Sequence, residues 1–423
     1  MFQRACATSP TGEISSRRHR PRRVTRDATR PMNQIETVAN RPLRHFPSPL
    51  AATGAAERAV SSASIDRLVF VDVLRGLAIL GVITVHVRYA FPDLPGVVRF
   101  FGGLGRYGVD LFFVVSAFTL FRSNRNFSLK SFLVRRWLRI APVYYLGIAL
   151  YTAIPRLLSP DSGPGLGAIV ANLLFLNAWI PGGGNDVVPG GWSISTEVAF
   201  YSLLPVAMAF VTSLRRAIIA FVVTLIASEL LLRGVSSVLA ARLSANDLSE
   251  FKAYCPLGHL ATFCLGLVMY HLLPRLRVLL PETRHRAIAI GLIIAGILLL
   301  PLLHAWDLSG ILPRSVAAGG PVFLFSAGVA LGLRSSRSRL VAALQWLGVV
   351  SYGVYIIHFH VLDFVERLVV GTMPIGVPGM VLFLSTLVLA SVLSAAGAYL
   401  VHRTIELPAL RLARHKRPST VMA

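Results

Sequence analysis

Arg75 and His86 stand eleven residues apart in a run that is otherwise almost wholly apolar, LVFVDVLRGLAILGVITVHVRYAF over 68–91. At about 100° per residue that separation is three helical turns plus roughly 20°, so both side chains leave nearly the same face, about 16 Å apart along the axis. The run is long enough to cross a bilayer, which takes about 20 apolar residues. A charge near the bilayer centre costs at least roughly 2.5–3.5 kcal/mol, so an ionisable residue kept there points to function. The pair offers a base that can take a proton and a fixed cation that can hold an anion. The plainer alternative is that each is a structural polar residue paired with a neighbour.

Other ionisable residues recur inside apolar runs. Asp110 opens GVDLFFVVSAF, where it is either an acid partner for chemistry or an interfacial carboxylate favoured by a helix start. RRWLRIAPVYYL places Arg136 and Arg139 three apart on one helical face, with Arg135 a plain topology anchor. Forked guanidinium donors of this kind bind phosphate bidentately. Arg139 lies inside the apolar run and needs an anionic partner, and Pro142 fits a first turn or a kink. GGWSISTEVAFYSLLP carries Glu197 behind Ser193, Ser195 and Thr196. Glu197 is either a helix-start acid or the acid/base or orienting partner of a histidine. LGVVSYGVYIIHFHVLDF holds Ser351, Tyr352, Tyr355, His358 and His360. Two residues apart on a helix, His358 and His360 cannot share a face, so at most one belongs to a site and the two make a poor metal pair. Glu406 in TIELPALR reads as half of an ion pair with Arg403 or a neighbouring base.

These residues need elements to hold them, and composition says which. The 423 residues are 54 % hydrophobic and 14 % charged, with a mean hydropathy of +0.65. That is the profile of an all-α polytopic membrane protein rather than a water-soluble fold. Ten spans are expected: 68–91, 105–121, 137–157, 195–212, 216–232, 257–273, 287–304, 314–333, 344–365 and 378–401. The stretch Leu166–Ile180 is apolar but only about 15 residues long, too short for a full span. Charge decides its status. With ten spans, Arg122, Arg125, Lys130, Arg135 and Arg136 fall on the same side as Arg215 and Arg216, Arg275, Arg277, Arg284 and Arg286, Arg334, Arg337 and Arg339, and Arg403 through Arg417. The other side keeps scattered bases such as Arg99, Arg156, Arg242, Lys252 and Arg367. Counting Leu166–Ile180 as a span would turn every later cluster outward, so it is re-entrant or interfacial, packed under PGGGNDVVPGG, and both termini face the cytoplasm.

The formal charge of +23 is explained by this positive-inside placement, not by nucleic acid. Residues 1–64 read as a disordered basic cytoplasmic tail, crowded with Arg17, Arg18, Arg20, Arg22, Arg23, Arg26 and Arg30 and lacking the apolar core of a secretory signal. A transit peptide fits the composition as well, and Met32 is a rival start. Residues 65–410 form the membrane domain and 411–423 a short basic cytoplasmic tail. Three cysteines, Cys6, Cys255 and Cys264, are too few and too scattered for a disulfide framework or a zinc site. With topology fixed, guanidinium groups (Arg75, Arg136, Arg139) gather in the inner half, and proton-transfer groups (His86, Asp110, Glu197, His358) in the outer half.

In this order and on separate spans, the chain resembles the acyltransferase 3 family of integral-membrane acyltransferases. LRGLAILGVITVH resembles its Arg-Gly opening with a histidine eleven residues on, GVDLFFVVSAF its second-span motif, and RRWLRIAPVYYL its Arg-x-x-Arg pair. GGWSISTEVAFYSLLP, LGVVSYGVYIIH and a weakened IELPAL resemble later blocks, and the likeness covers about residues 66–410. Ala117 stands where the family often has glycine, and Leu407 where arginine is commoner beside Glu406, which puts that last element's role in question. The resemblance implies transfer of an acyl group, commonly acetyl, from acyl-coenzyme A to a hydroxyl of a carbohydrate or other cell-envelope acceptor, carbohydrate or lipid-linked, with no metal, at a bacterial inner membrane. By this likeness Arg75 and His86 are the essential pair. Glu197 or Asp110 orients the imidazole, Arg136 and Arg139 hold the donor, and Trp192, Ser193, Tyr352 and His358 bind substrate. A transporter or flippase, with the same polar residues lining a path, is the reading from another class. The acceptor's identity, the acyl chain length and the oligomeric state are not written in these motifs.

Overall fold

The computed structural model describes residues 68–415 apart from 124–127, 160–162, 306–311, 334–337 and 374–375. The N-terminal tail over 1–64, with Cys6, lies outside the described residues, as does the chain after 415. Every regular element among the described residues is helical. This follows from the solvent: with no water to satisfy backbone groups in the bilayer core, a spanning segment must bond to itself.

Ten helices among the described residues are long and apolar enough to cross a membrane. In chain order the elements are α1 (Val69–Ala90), short α2 (Gly96–Gly103), α3 (Gly108–Ser123), α4 (Leu129–Leu158), short α5 (Leu166–Leu173), α6 (Gly191–Phe210) and α7 (Leu214–Leu239). There follow α8 (Ala245–Tyr254), α9 (Leu260–Leu279), α10 (Glu282–Ala305), one-turn α11 (Arg314–Ala317), α12 (Gly319–Gly332), α13 (Arg339–Thr372), α14 (Gly379–Val401) and α15 (Leu407–His415). The last helix runs across residue 410, where the sequence suggests that the membrane domain ends. Ser128, Ser213 and Ser244 cap α4, α7 and α8, each hydroxyl accepting from the backbone N–H three residues on. Leu166–Ile180 is not a span: the eight residues of α5 lead into a 3₁₀ turn at Asn177–Trp179.

α1 is the axis of the bundle, packed most extensively on α13 and also against α3 and α14. Close approach explains the pairing. A Cβ on Gly76 would fall on the carbonyl of Leu344, and one on Gly348 would fall on the carbonyl of Asp72. Each helix thus lends the other a glycine, and the backbones touch, as small residues permit between membrane helices. At the periphery only 11 % of the apolar stretch of α7, and 11 % of that of α10, is buried. Exposed Ile219, Val223, Ile226, Leu230 and Leu231 on α7 form a surface that suits hydrocarbon rather than water. Pro142 sits thirteen residues into α4, not in its first turn. It therefore removes one helical hydrogen bond from the middle of the helix that carries Arg136 and Arg139.

Candidate active site

A cavity with about 670 Å³ of empty space opens among α1, α3, α4, α6 and α13. Arg75 enters it from α1, Arg139 and Ile140 from α4, and Ser193, Glu197 and Tyr201 from α6. Ser351, Tyr352 and Tyr355 come from α13, and Phe112 and Ser116 from α3. Five distant stretches of sequence, each with a polar residue in an apolar run, meet at one place.

Glu197 is the carboxylate of the cavity. Its Oε1 accepts from the Ser116 hydroxyl at 2.5 Å and from the Tyr201 hydroxyl at 2.6 Å. Glu197 and Tyr201 are four apart on α6, so the helix itself delivers the second donor. Two short bonds to one oxygen keep the half-buried carboxyl group in place. Arg75 lies 4.0 Å from Asp72 Oδ1. Arg139 Nη1 lies 3.7 Å from Glu406 Oε1, and Glu406 is only 2 % exposed. The other oxygen of Glu406 accepts from His402 Nδ1 at 2.8 Å. Arg139 thus finds its anion in the element after α14, where a π turn over His402–Glu406 swings the carboxylate inward. Such turns often mark functional positions. The expected partner of Glu406, Arg403, is replaced by Arg139 and His402, and Leu407 does not prevent that contact.

Arg136 is set apart from Arg139. It opens into a neighbouring groove between α4 and α6 with Trp137, Phe175 and Ser202, and Ile140 and Tyr201 line both the groove and the cavity. Three residues of helical advance turn the two guanidinium groups toward two sides of one wall.

His86 is not among the residues lining the cavity. Its ring packs 4.4 Å from Phe359 and 5.4 Å from the ring of His358, centroid to centroid. His358 is 1 % exposed, and its Nδ1 lies 2.7 Å from the Tyr355 carbonyl. A carbonyl only accepts, so Nδ1 carries the proton and Nε2 is a lone pair. That Nε2 is buried with no hydrogen-bond partner among the described residues. The His358 ring is 5.8 Å from the ring of Tyr355, which does line the cavity. The imidazoles therefore stand behind Tyr355. His360 takes the other face of α13 and stacks on Tyr151 at 3.8 Å, as the two-residue offset requires.

Neither carboxylate proposed for orienting His86 has its hydrogen bonds there. Glu197 is engaged by Ser116 and Tyr201. Asp110, fully buried, is 3.4 Å from Arg314 Nη2 and 4.0 Å from His259 Nδ1. The position of residue 110 on α3 faces α9 and α11 rather than α1, so Asp110 ties those elements together. Trp192 is also displaced from its expected role. It is buried against Tyr254 at 5.2 Å, His259 at 4.9 Å and Phe113 at 6.2 Å, outside the cavity lining. Ser193 and Tyr352 are in the wall as expected. The Ser193 hydroxyl bonds to Tyr355 at 2.9 Å, and the Tyr352 hydroxyl donates to the Ile140 carbonyl at 2.8 Å.

The wall includes residues that the sequence did not single out as site residues: Ser116, Tyr201 and Tyr355. For Tyr201 the i,i+4 spacing from Glu197 is the available signal. A second unforeseen feature is the polar seam beneath the loop that precedes α6. Tyr144 donates to Asn172 at 2.8 Å, Asn172 donates to Asp186 at 2.9 Å, and Ser195 donates to Asn177. Gly190, at φ 80°, is the turn into α6; a side chain there would be strained and would meet Tyr355. These bonds fix the start of α6 and so the height of Ser193 and Glu197.

The cavity thus gathers two arginines and a hydrogen-bonded carboxylate, with an imidazole pair behind Tyr355. The family model described as an acyltransferase domain matches residues 68–403, and the chain belongs to that acyltransferase 3 family. It is therefore a membrane acyltransferase transferring groups other than aminoacyl groups, which sets the transporter reading aside. Acyltransferase MdmB of Streptomyces mycarofaciens is 26 % identical over 369 residues, 82 % of this chain and 92 % of that protein. Peptidoglycan O-acetyltransferase OatA of Listeria monocytogenes is 26 % identical over 157 residues, 32 % of this chain and 23 % of the relative. Exopolysaccharide production protein ExoZ of Rhizobium meliloti is 33 % identical over 106 residues, 24 % of this chain and 33 % of the relative. No solved structure matches the chain.

Proposed function

We propose that the protein moves an acyl group, normally acetyl, from acyl-coenzyme A to a hydroxyl of a carbohydrate or other cell-envelope acceptor. The observation that carries this reading is the cavity that brings Arg75, Arg139 and Glu197 together with the Tyr355 side of the His86–His358 pair. The names of two relatives, a peptidoglycan O-acetyltransferase and an exopolysaccharide production protein, support the choice of group and acceptor. The dense basic loops support an orientation with both termini in the cytoplasm of a bacterial inner membrane.

The donor supplies the activated thioester, and its phosphates suit guanidinium groups. Arg75 and Arg139 hold it within the cavity, with Arg136 at the adjoining groove. Arg75 acts as a donor-holding group, because about 16 Å of helix separates it from His86. His86 takes the proton of the acceptor hydroxyl as the oxygen attacks the acyl carbon. The carbon–sulfur bond breaks, and the proton returns to the coenzyme A thiolate. Since both carboxylates are engaged elsewhere, the His358 ring, 5.4 Å from that of His86 centroid to centroid, is the neighbour that orients it. Ser193 and Tyr352 line the acceptor's approach.

The test is release of coenzyme A. Membranes containing the protein are incubated with acetyl-coenzyme A, with and without envelope carbohydrate, and free thiol is assayed. Acceptor-dependent thiol release that disappears in His86→Ala supports the reading. Wild-type activity in purified, normally inserted His86→Ala removes His86 from the mechanism.

A further inference from the structure

At the end of α1 opposite Arg75 lies a second pocket that the acyl-transfer chemistry does not use. It has about 730 Å³ of empty space. Arg88 from α1, Arg99 from α2 and Arg106 from the turn that follows line it, and no carboxylate is among the described lining residues. The orientation proposed above leaves these three arginines on the base-poor side of the membrane, where topology gives them no reason to gather. Their own bonds do not use them up. Arg88 Nη1 donates to the Arg99 carbonyl at 3.2 Å, while its Nε is buried with no hydrogen-bond partner among the described residues. Arg106 Nε donates to the Gly103 carbonyl at 3.0 Å. Donors on three guanidinium groups remain for an anion.

Below this pocket runs an apolar groove of about 810 Å³, and Leu104, Tyr107 and Leu300 line both. Its walls include Leu77, Gly81 and Thr84 of α1, Ile297 of α10 and Phe325 of α12. The Thr84 hydroxyl is turned away to the Leu80 carbonyl at 2.7 Å, which leaves the wall apolar. From residue 77 to residue 88 is about 16 Å of helix, half of a hydrocarbon core about 30 Å thick. Pocket and groove together are therefore one leaflet deep. Beside its mouth, α2 exposes Phe100 and Phe101, which suit the headgroup level of a bilayer.

We infer that this pocket and groove seat one anionic phospholipid, its phosphate among Arg88, Arg99 and Arg106 and an acyl chain between α1 and α10. Charge selects the headgroup, because three guanidinium groups with no carboxylate among the described lining residues favour net negative phosphate over a zwitterion. Depth selects a bilayer lipid over a soluble phosphate.

Native mass spectrometry of the delipidated full-length protein, titrated with phosphatidylglycerol, tests this. Phosphatidylcholine and soluble glycerol 3-phosphate are the comparison ligands. One saturable phosphatidylglycerol adduct is expected per chain. It should weaken about thirtyfold in Arg99→Gln/Arg106→Gln, by the worth of two interfacial charges. Both of those side chains are exposed, so the variant folds. Leu300→Trp, which fills the groove, should weaken it as well. Equal phosphatidylglycerol affinity in wild type and the double variant overturns the inference. So does phosphatidylcholine binding as tightly, or glycerol 3-phosphate displacing the lipid at equal concentration.

Discussion

The Arg75 cavity and the surroundings of His86 share one helix, yet they are built on different physical terms. In the cavity every charge is answered: Arg75 by Asp72, Arg139 by Glu406, and Glu197 by two hydroxyls. Around His86 the described ring contacts are Tyr89, His358 and Phe359, and the buried Nε2 of His358 has no hydrogen-bond partner among the described residues. The first arrangement suits holding a charged donor. The second sets the imidazole of His86 among rings, with no carboxylate among its described ring contacts. A buried polar atom left unpaired costs about 1–3 kcal/mol, and His358 Nε2 is one such atom among the described residues.

The largest expected effect breaks the imidazole half. His86→Ala should lower transfer by about 10²–10⁴-fold, the usual weight of general base catalysis, with donor binding intact, measured by thiol release and by acetyl-coenzyme A titration. His358→Phe keeps a ring but removes Nε2, and should lower kcat while leaving the donor KM unchanged. An unchanged kcat would return His358 to a packing role.

The cavity half should fail differently. Arg139→Gln is expected to raise the donor KM about tenfold, equivalent to 1.4 kcal/mol, and to lower the thermal midpoint because Glu406 loses a partner while remaining buried. Arg136→Gln, in the adjoining groove, should change KM less. If the two variants are equal, the wall between groove and cavity has no meaning for the donor. Glu197→Ala strands two hydroxyls and should destabilise by about 1–3 kcal/mol for each, whereas Glu197→Gln restores an oxygen acceptor and most of that loss. The smallest effect is at His360→Phe, which preserves the stack on Tyr151 and should leave both activity and midpoint near wild type. A large loss there would show that the wrong histidine of the two has been placed with His86.

Much of this was legible in the chain. Ten spans and the short Leu166–Ile180 segment follow from hydropathy and charge placement, and of the polar residues in apolar runs Arg75, Arg139, Glu197, Ser193 and Tyr352 come to line one cavity. Asp110 and Trp192 looked like site residues for the same reason and are not in the cavity wall. Hydropathy reports that a polar residue is buried, not which neighbour it faces. Asp110 faces Arg314, and Trp192 faces Tyr254 and His259, partners separated by 62 to 204 residues of sequence.

The sequence by itself determined how many times the chain crosses the bilayer, since each span needs about 20 apolar residues and cannot share its backbone bonds with water. It also determined which helix faces carry charge, since residue spacing sets azimuth. Only the tertiary structure decided which faces meet. Glycine contacts between α1 and α13 bring His358 to His86, and a π turn after α14 brings Glu406 to Arg139. Lipid is as apolar as the helices themselves, so hydrophobicity does not choose between partners. Close packing and buried hydrogen bonds do, and they exist only once the bundle has assembled.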